Sequence, residues 1–334
     1  MKKHKICKIL LVILAIFLCV AFYELLGICV AYKKQPEVSN TTKKETKNGS
    51  WNECSENTER AVIIEKNPEA LLQRVRLIKN AKKEIILSTF AFQSDESGKL
   101  ILGALHDAAD RGVHIRLLVD GMESWIDMEG NPYFYGLSSH ENVEIKLYNK
   151  ANPLKPWKMM GRMHDKYLIA DGKRYILGGR NTYNYFLGDF PGHKNYDRDV
   201  LVVCDEPEKE NSVNQLSEYF ETIWNQEDSG YFHDNKKLAN RKSVKNAVLE
   251  LQNGYQKYFE ENKERICDTD YTDETFETEK IALVSNPIHT GSKEPVVWYQ
   301  LGELMKNAKN RVKIHTPYII CNDMMYNTWE EIAE

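Results

Sequence analysis

Between Ile9 and Tyr32 the chain is apolar except for one charged residue, Glu24. Roughly 20 such residues wound as a helix cross the hydrocarbon core of a bilayer, where backbone polar groups must be bonded within the segment itself. A helix is therefore the fold expected of this stretch. Lys2, Lys3, Lys5 and Lys8 precede it, and basic residues on that side favour an N-terminus in the cytoplasm and a body outside it, although Lys33 and Lys34 weaken the asymmetry. A cleaved signal peptide is the rival reading. No convincing A-x-A site follows, so residues 1–34 are read as an uncleaved single-pass anchor in the cell membrane, with the body extracytoplasmic.

Residues 35–60 are polar and rich in Ser, Thr, Asn and Lys, as a tether would be. From Ala61 the pattern changes. Helical spacing over 68–82 and 99–112 alternates with strand-like runs at 84–92, 114–120 and 143–149, and strands separated by helices predict an α/β sandwich around a mixed, largely parallel sheet. A second helical pattern covers 209–225, with Leu216, Tyr219, Phe220, Ile223 and Trp224 on one apolar face. The tetrapeptide Lys79-Asn80-Ala81-Lys82 returns as Lys306-Asn307-Ala308-Lys309, each time leading into an apolar run, EIILSTFAF (84–92) and RVKIHTPYI (311–319). This repeat predicts a duplicated domain. The expected organisation is a first domain at 61–254, a charged linker at 255–280 and the incomplete start of a second copy at 281–334.

The whole chain of 334 residues carries a formal net charge of −4, which excludes a global attraction to nucleic acid or to an anionic surface. Any binding of phosphate must be local. The seven cysteines form no C-x-x-C pair and no zinc-like spacing; Cys204 reads as a small buried hydrophobe, and a pairing of Cys54 with Cys267 stays open. No metal and no cofactor is called for.

Charge reappears in a place where burial is expected. In RMHDKYLIADGKRYILGGRN (162–181), His164 and Lys166 lie two apart, so an extended chain sends both side chains to one face and Met163, Asp165 and Tyr167 to the other. Asp171 opens a turn, and Gly178 and Gly179 let the backbone approach a ligand before Asn181 points back at the same place. An imidazole can attack phosphorus and form a covalent phosphohistidine, while an ammonium and a neutral amide stabilise the charge that builds on the oxygens, an effect worth about 3 to 4 kcal/mol per well-aimed donor. A nucleophilic histidine also needs an orienting acid. Asp199 is the candidate, with Asp197 the alternative.

The spacing H-x-K-x4-D at His164, Lys166 and Asp171, followed by GGRN, resembles the signature of the phospholipase D superfamily. GGRNTYNYF (178–186), RDVLVV (198–203) and DAADRGVHIRLLVD (107–120) are similar to its bacterial cardiolipin synthase-like members. The resemblance extends over about residues 65–334. It departs from many relatives at Gly178-Gly179, where they carry Gly-Ser. It implies catalytic roles for His164, Lys166, Asp171, Asn181 and Asp199, and substrate contacts from Gly178, Gly179 and Arg180. It further implies that two such motifs, from two halves of one chain or from two subunits, meet at one site. His289, His315 and His106 lack a lysine at plus two and are poor substitutes for the second.

The expected function is that of a membrane-anchored phosphatidyltransferase or phosphodiesterase acting on phospholipids such as phosphatidylglycerol. An endonuclease of the same superfamily and a catalytically silent chain are the alternatives. Arg162, Lys173, Arg174 and Arg180 are read either as an anionic-headgroup collar or as a solvated face. Tyr183, Tyr185, Phe186 and Phe190 are read as packing, and His193 as a surface residue.

Overall fold

The computed structural model of the chain describes residues 2–49, 59–204, 211–233, 235–316 and 319–333. It divides into two compact units, Met1–Glu53 with Ala282–Glu334, and Cys54–Ile281.

In chain order the elements are α1 (Lys2–Tyr32), α2 (Asn40–Asn48), β1 (Arg60–Ile64), α3 (Asn67–Asn80), β2 (Glu84–Thr89), α4 (Glu96–Asp110), β3 (His114–Asp120), α5 (Glu123–Asp127) and α6 (Pro132–Ser138). They continue with β4 (Val143–Tyr148), β5 (Tyr167–Ala170), β6 (Arg174–Gly178), β7 (Asp199–Val203), α7 (Ser212–Trp224), β8 (Ser229–Tyr231), α8 (Lys242–Glu261), α9 (Lys263–Cys267), β9 (Phe276–Glu277), α10 (Val296–Lys306) and α11 (Asp323–Ala333).

In the second unit one sheet runs in the order β8-β4-β3-β2-β5-β6-β7-β1-β9. The expected alternation of strand and helix holds for β2, α4, β3 and β4, and these three strands are parallel. The sheet is mixed as expected, but the remaining pairings are antiparallel, so parallel strands are the minority. The reason lies at residues 149–166, which hold no crossover helix. The chain therefore re-enters the sheet at the edge it has just left, and β5 runs against β2. β6 follows through a tight turn in which Asp171 and Gly172 both have positive φ, 55° and 61°, as a type I′ hairpin demands.

Alternation along the strands sorts the core into two layers. Ile85, Leu87, Ile115, Leu117, Val119 and Leu168 face α3, α4, α6 and α8 in the main apolar cluster. Arg116 and Lys146 point the other way, onto Phe220 and Trp224 of α7. Leu216, Phe220, Ile223 and Trp224 are buried as the helical spacing predicts.

The segment expected to link two halves instead completes this unit. Val244, Ala247, Leu251, Tyr255 and Phe259 form the buried stripe of α8, Ile266 and Tyr271 are buried beyond it, and β9 pairs with β1. Its charges are the solvent face of amphipathic helices rather than a connector. At the other end, part of the expected tether is the helix α2, capped by Ser39. Residues 50–58 of that tether, and with them Cys54, lie outside the described residues.

In the first unit, α1 has 28 residues, Lys5–Tyr32, long and apolar enough to cross a membrane. The run 311–319, expected as a strand, carries no regular structure over 311–316, and residues 317 and 318 lie outside those described. Val312 and Ile314 are exposed there. A strand needs a neighbouring strand, and among the described residues no strand ladder includes this run.

Candidate active site

Six central strands bring their ends to one edge of the sheet. These are the carboxyl ends of β2, β3, β4 and β6 and the amino ends of β5 and β7. The carboxyl edge of parallel strands is where open α/β sheets place their ligand sites, because loops leave there and backbone groups are free.

His164 and Lys166 lie on this edge in extended chain just before β5, rather than within a strand. Their predicted separation from their neighbours holds. Asp165 accepts a hydrogen bond of 2.7 Å from Tyr219 on α7, and Met163 touches Ser88 on the same side. His164 and Lys166 meet Phe90 instead. The His164 ring lies 4.7 Å from the Phe90 ring, and the Lys166 ammonium 5.4 Å from it. One aromatic side chain thus lies against both side chains.

Lys166 is 5% exposed, and its Nζ donates a 2.6 Å hydrogen bond to the His164 carbonyl. No carboxylate forms an ion pair with it among the described residues. Burial pushes its pKa down to about 8, against the opposing pull of Asp165 and Asp197. An ammonium with three donors and one bond made has room for an anion. His164 keeps an exposed edge, and partial burial followed by the neighbouring Lys166 charge holds its imidazole below the ordinary value, against Asp165 and Asp120. The proton-free form that a nucleophile requires is favoured.

Behind these groups the backbone is closely packed. A Cβ on Gly178 would meet an Asp199 carboxylate oxygen at 2.0 Å and the Arg198 carbonyl at 2.6 Å, and one on Gly179 would meet the Asp197 carboxylate at 2.1 Å. At Gly178 the backbone of residues 198 and 199 leaves no room for a side chain, whereas at Gly179 the obstacle is the Asp197 carboxylate, which would have to move. Asn181 is buried on the same edge, where its Oδ1 accepts a 3.3 Å bond from Ala91 N, next to Phe90.

Three expected roles are corrected. Asp199 does not orient His164, because its Oδ2 is held by Arg74 at 2.9 Å and by Arg180 at 3.3 Å, wholly out of solvent. Arg180 is no headgroup contact either: its guanidinium is buried and donates to Asn67 and to the carbonyls of Ile64, Glu65 and Asp197. This cluster is the floor beneath the glycines. Asp171, third member of the motif, sits at the opposite end of β5, roughly 20 Å from His164 at about 3.3 Å per extended residue. There its carboxylate accepts from the backbone N–H groups of Lys82, Lys83 and Glu84 and fixes the start of β2. Asp197, the alternative acid, is the carboxylate that packs on Gly179 and acts on Lys166.

Arg162 pairs with Asp120, and Arg174 lies over Tyr271, so neither is a free collar. Lys173 is exposed at the far hairpin. Tyr183 packs against Tyr185 and Phe186, and Phe190 against the core, as expected of packing residues. His193 is exposed.

Two residues of the site went unnoticed in the sequence. Phe90 lies in the EIILSTFAF run (84–92), immediately after the last residue of β2. Asp120 ends β3, and its carboxylate takes the backbone N–H groups of Met122, Glu123 and Met163 together with Arg162, so it fixes the approach to His164. Their shared signal was position, each being an aromatic or acidic residue at the carboxyl end of a predicted parallel strand. Among the described residues no three His, Cys, Asp or Glu side chains gather as a metal cluster would.

Residues 74–224 match the family model described as cardiolipin synthase, phospholipase D-like domain. An uncharacterised protein of Helicobacter pylori (strain J99) is 30% identical over 212 residues, 59% of this chain and 39% of that protein. Cardiolipin synthase C of Escherichia coli (strain K12) is 30% identical over 154 residues, 42% of this chain and 31% of that protein. The chain thus spans well under half the length of these relatives. Among solved structures, NucT from Helicobacter pylori aligns with a TM-score of 0.41 at 18% identity, covering 52% of this chain and 99% of that one.

Proposed function

We propose that the sheet edge around His164, within the residues 74–224 that match the cardiolipin synthase, phospholipase D-like family model, cleaves a phosphodiester of a phospholipid and transfers the phosphatidyl group to an alcohol or to water. The observation that carries this reading is the buried Lys166 ammonium, which forms no ion pair with a carboxylate among the described residues and shares Phe90 with the His164 imidazole, whose pKa is lowered by burial and by the Lys166 charge. Keeping a cation out of water without a counter-ion costs several kcal/mol, and such a group is retained where a ligand supplies the missing anion.

In the proposed first step a ring nitrogen of His164 bonds to phosphorus and the bond to the departing alkoxide breaks. Lys166 and Asn181 stabilise the non-bridging oxygens. The departing oxygen takes its proton from a second imidazole. An acceptor hydroxyl then gives its proton to that second imidazole, bonds to phosphorus and displaces His164. His164 is the only one of the nine histidines with lysine at plus two, so the second motif is assigned to another copy of the chain or to another stretch of a longer one. α1 is assigned as the anchor that keeps the site beside its lipid, with Lys2, Lys3, Lys5 and Lys8 on the cytoplasmic side and the body outside.

The test is incubation of the full chain with labelled phosphatidylglycerol and, separately, with plasmid DNA. Lipid turnover is expected, lost in His164→Ala without loss of fold by circular dichroism, and acid quenching at short times should trap an acid-labile phosphoprotein. Cleavage of DNA alone, turnover of neither, or full activity in His164→Ala would each overturn the proposal.

A further inference from the structure

Two loops that leave the site edge expose large apolar side chains instead of covering them. The segment after β3, which includes the short helix α5, presents Trp125 and Ile126, 67% and 68% exposed. The loop after β4 presents Leu154, Trp157 and Met160, 76%, 46% and 59% exposed. Both are rooted at one place. Gly121 packs so closely on the backbone of residues 148–150 that a Cβ there would meet the Tyr148 carbonyl at 2.6 Å and Lys150 N at 2.7 Å. Asp120 ties the base of the first loop to Met163, the residue before His164.

The second loop holds its side chains out on a fixed backbone. Pro153 and Pro156 restrict φ. Asn152 caps Leu154 N at 2.9 Å, Lys155 N returns to Asn152 O at 2.9 Å, and the Asn149 amide reaches the carbonyls of Lys158 and Gly161 at 2.7 and 2.8 Å. Little conformational freedom is left to lose when such a loop meets a partner. The exposed Lys155 stands between its apolar tips and the exposed Lys150 at its base, where its Nζ donates a 2.6 Å bond to the Tyr231 carbonyl, and the segment 149–163 contains no acidic residue. The first loop carries Glu123, Asp127 and Glu129, so its contribution is Trp125 and Ile126 rather than charge.

We propose that Trp125, Ile126, Leu154, Trp157 and Met160 form a lip that enters the surface of a phospholipid bilayer beside His164, with Lys150 and Lys155 meeting the phosphate headgroups. The chemistry selects this partner. Exposed Leu, Ile and Met gain nothing from a nucleic-acid backbone, which is met by Lys and Arg, whereas tryptophan among aliphatic residues with lysines at the rim matches the layered polarity of a lipid interface. The inference rests on the proposed reaction of this edge and narrows its substrate to lipid presented in a membrane.

The test uses the full chain with its native cysteines replaced by serine and one environment-sensitive fluorophore at Leu154→Cys, Ile126→Cys or, as control, Lys173→Cys at the opposite end of the hairpin. The protein is reconstituted in vesicles of phosphatidylglycerol and phosphatidylcholine with and without spin-labelled lipid. Labels at 154 and 126 should shift to the blue and be quenched by the lipid spin label, while the label at 173 stays in water. Equal quenching at all three sites, no quenching at 154 and 126, or a blue shift on adding duplex DNA in place of vesicles would overturn the lip. Lipid turnover by the same samples keeps the two proposals apart: turnover with the lip in water removes this inference alone, and a buried lip without turnover removes the proposed reaction alone.

Discussion

Burial beside an unpaired ammonium gives His164 and Lys166 opposite demands on pH. The His164 imidazole must be neutral to attack, and its pKa lies below the ordinary histidine value, so kcat/KM should rise with pH through a limb below that value. Lys166 must be charged to hold the phosphate, and its pKa is about 8, so kcat/KM should fall above that point. Lys166→Arg should lower the plateau and remove the descending limb, because a guanidinium stays charged throughout; a fall above pH 8 that survives the substitution assigns the limb to another group. The same depressed pKa is a statement about stability. Lys166 is destabilising while it is charged in the fold, and the penalty disappears as pH rises from 8 towards the unfolded value of 10.5. Lys166→Met should therefore abolish turnover yet raise unfolding stability by ~2 kcal/mol at neutral pH. Denaturation in detergent at neutral pH and above pH 10 checks both the gain and its loss. At this scale the sequence was legible where spacing alone decided, as for His164, Lys166 and the two glycines. It was not legible for Phe90, which reaches the site only because β2 pairs with β5 across more than seventy positions of chain, nor for the choice between Asp197 and Asp199, which depends on which carboxylate lies over which glycine.

Among the elements, the hairpin of β5 and β6 separates chemistry from construction. Its open end carries His164, Lys166 and Gly178, and its turn carries Asp171. A motif of fixed spacing therefore mixes two kinds of residue, since an eight-residue signature laid on an extended strand spans the sheet from edge to edge. Asp171→Ala should cost about 2 kcal/mol of stability through three uncapped N–H groups and a strained positive φ. Turnover per folded molecule should not change. A proportionate loss of kcat with unchanged unfolding would return Asp171 to the catalytic set. The helices were legible from their periodicity, including the apolar face of α7, but the direction of half the sheet was not, because strand orientation depends on which edge the chain re-enters and no local pattern records that. The same limit turned the end of α8 and all of α9 into an expected linker, since their exposed charges dominate the composition while Tyr255, Phe259 and Ile266 supply the contacts.

At the scale of the whole molecule, a net charge of −4 leaves recognition to local groups, and the site edge supplies one imidazole of the H-x-K type where the proposed double displacement uses two. Two copies facing each other across a two-fold axis would each present His164 to a shared phosphorus, a self-complementary arrangement in which one ring attacks and the other protonates. Co-expression distinguishes this from a second motif within one longer chain. With one wild-type chain to nine chains of His164→Ala pairing at random, only about one-tenth of wild-type chains find a wild-type partner, so activity per wild-type chain should drop to ~10% if both imidazoles are required. The variant changes an exposed side chain, so pairing itself is preserved, and cross-linking of the mixed sample verifies it. Activity per wild-type chain that stays constant across mixing ratios would show that each chain completes its own site, and would move the second imidazole into the same polypeptide as His164.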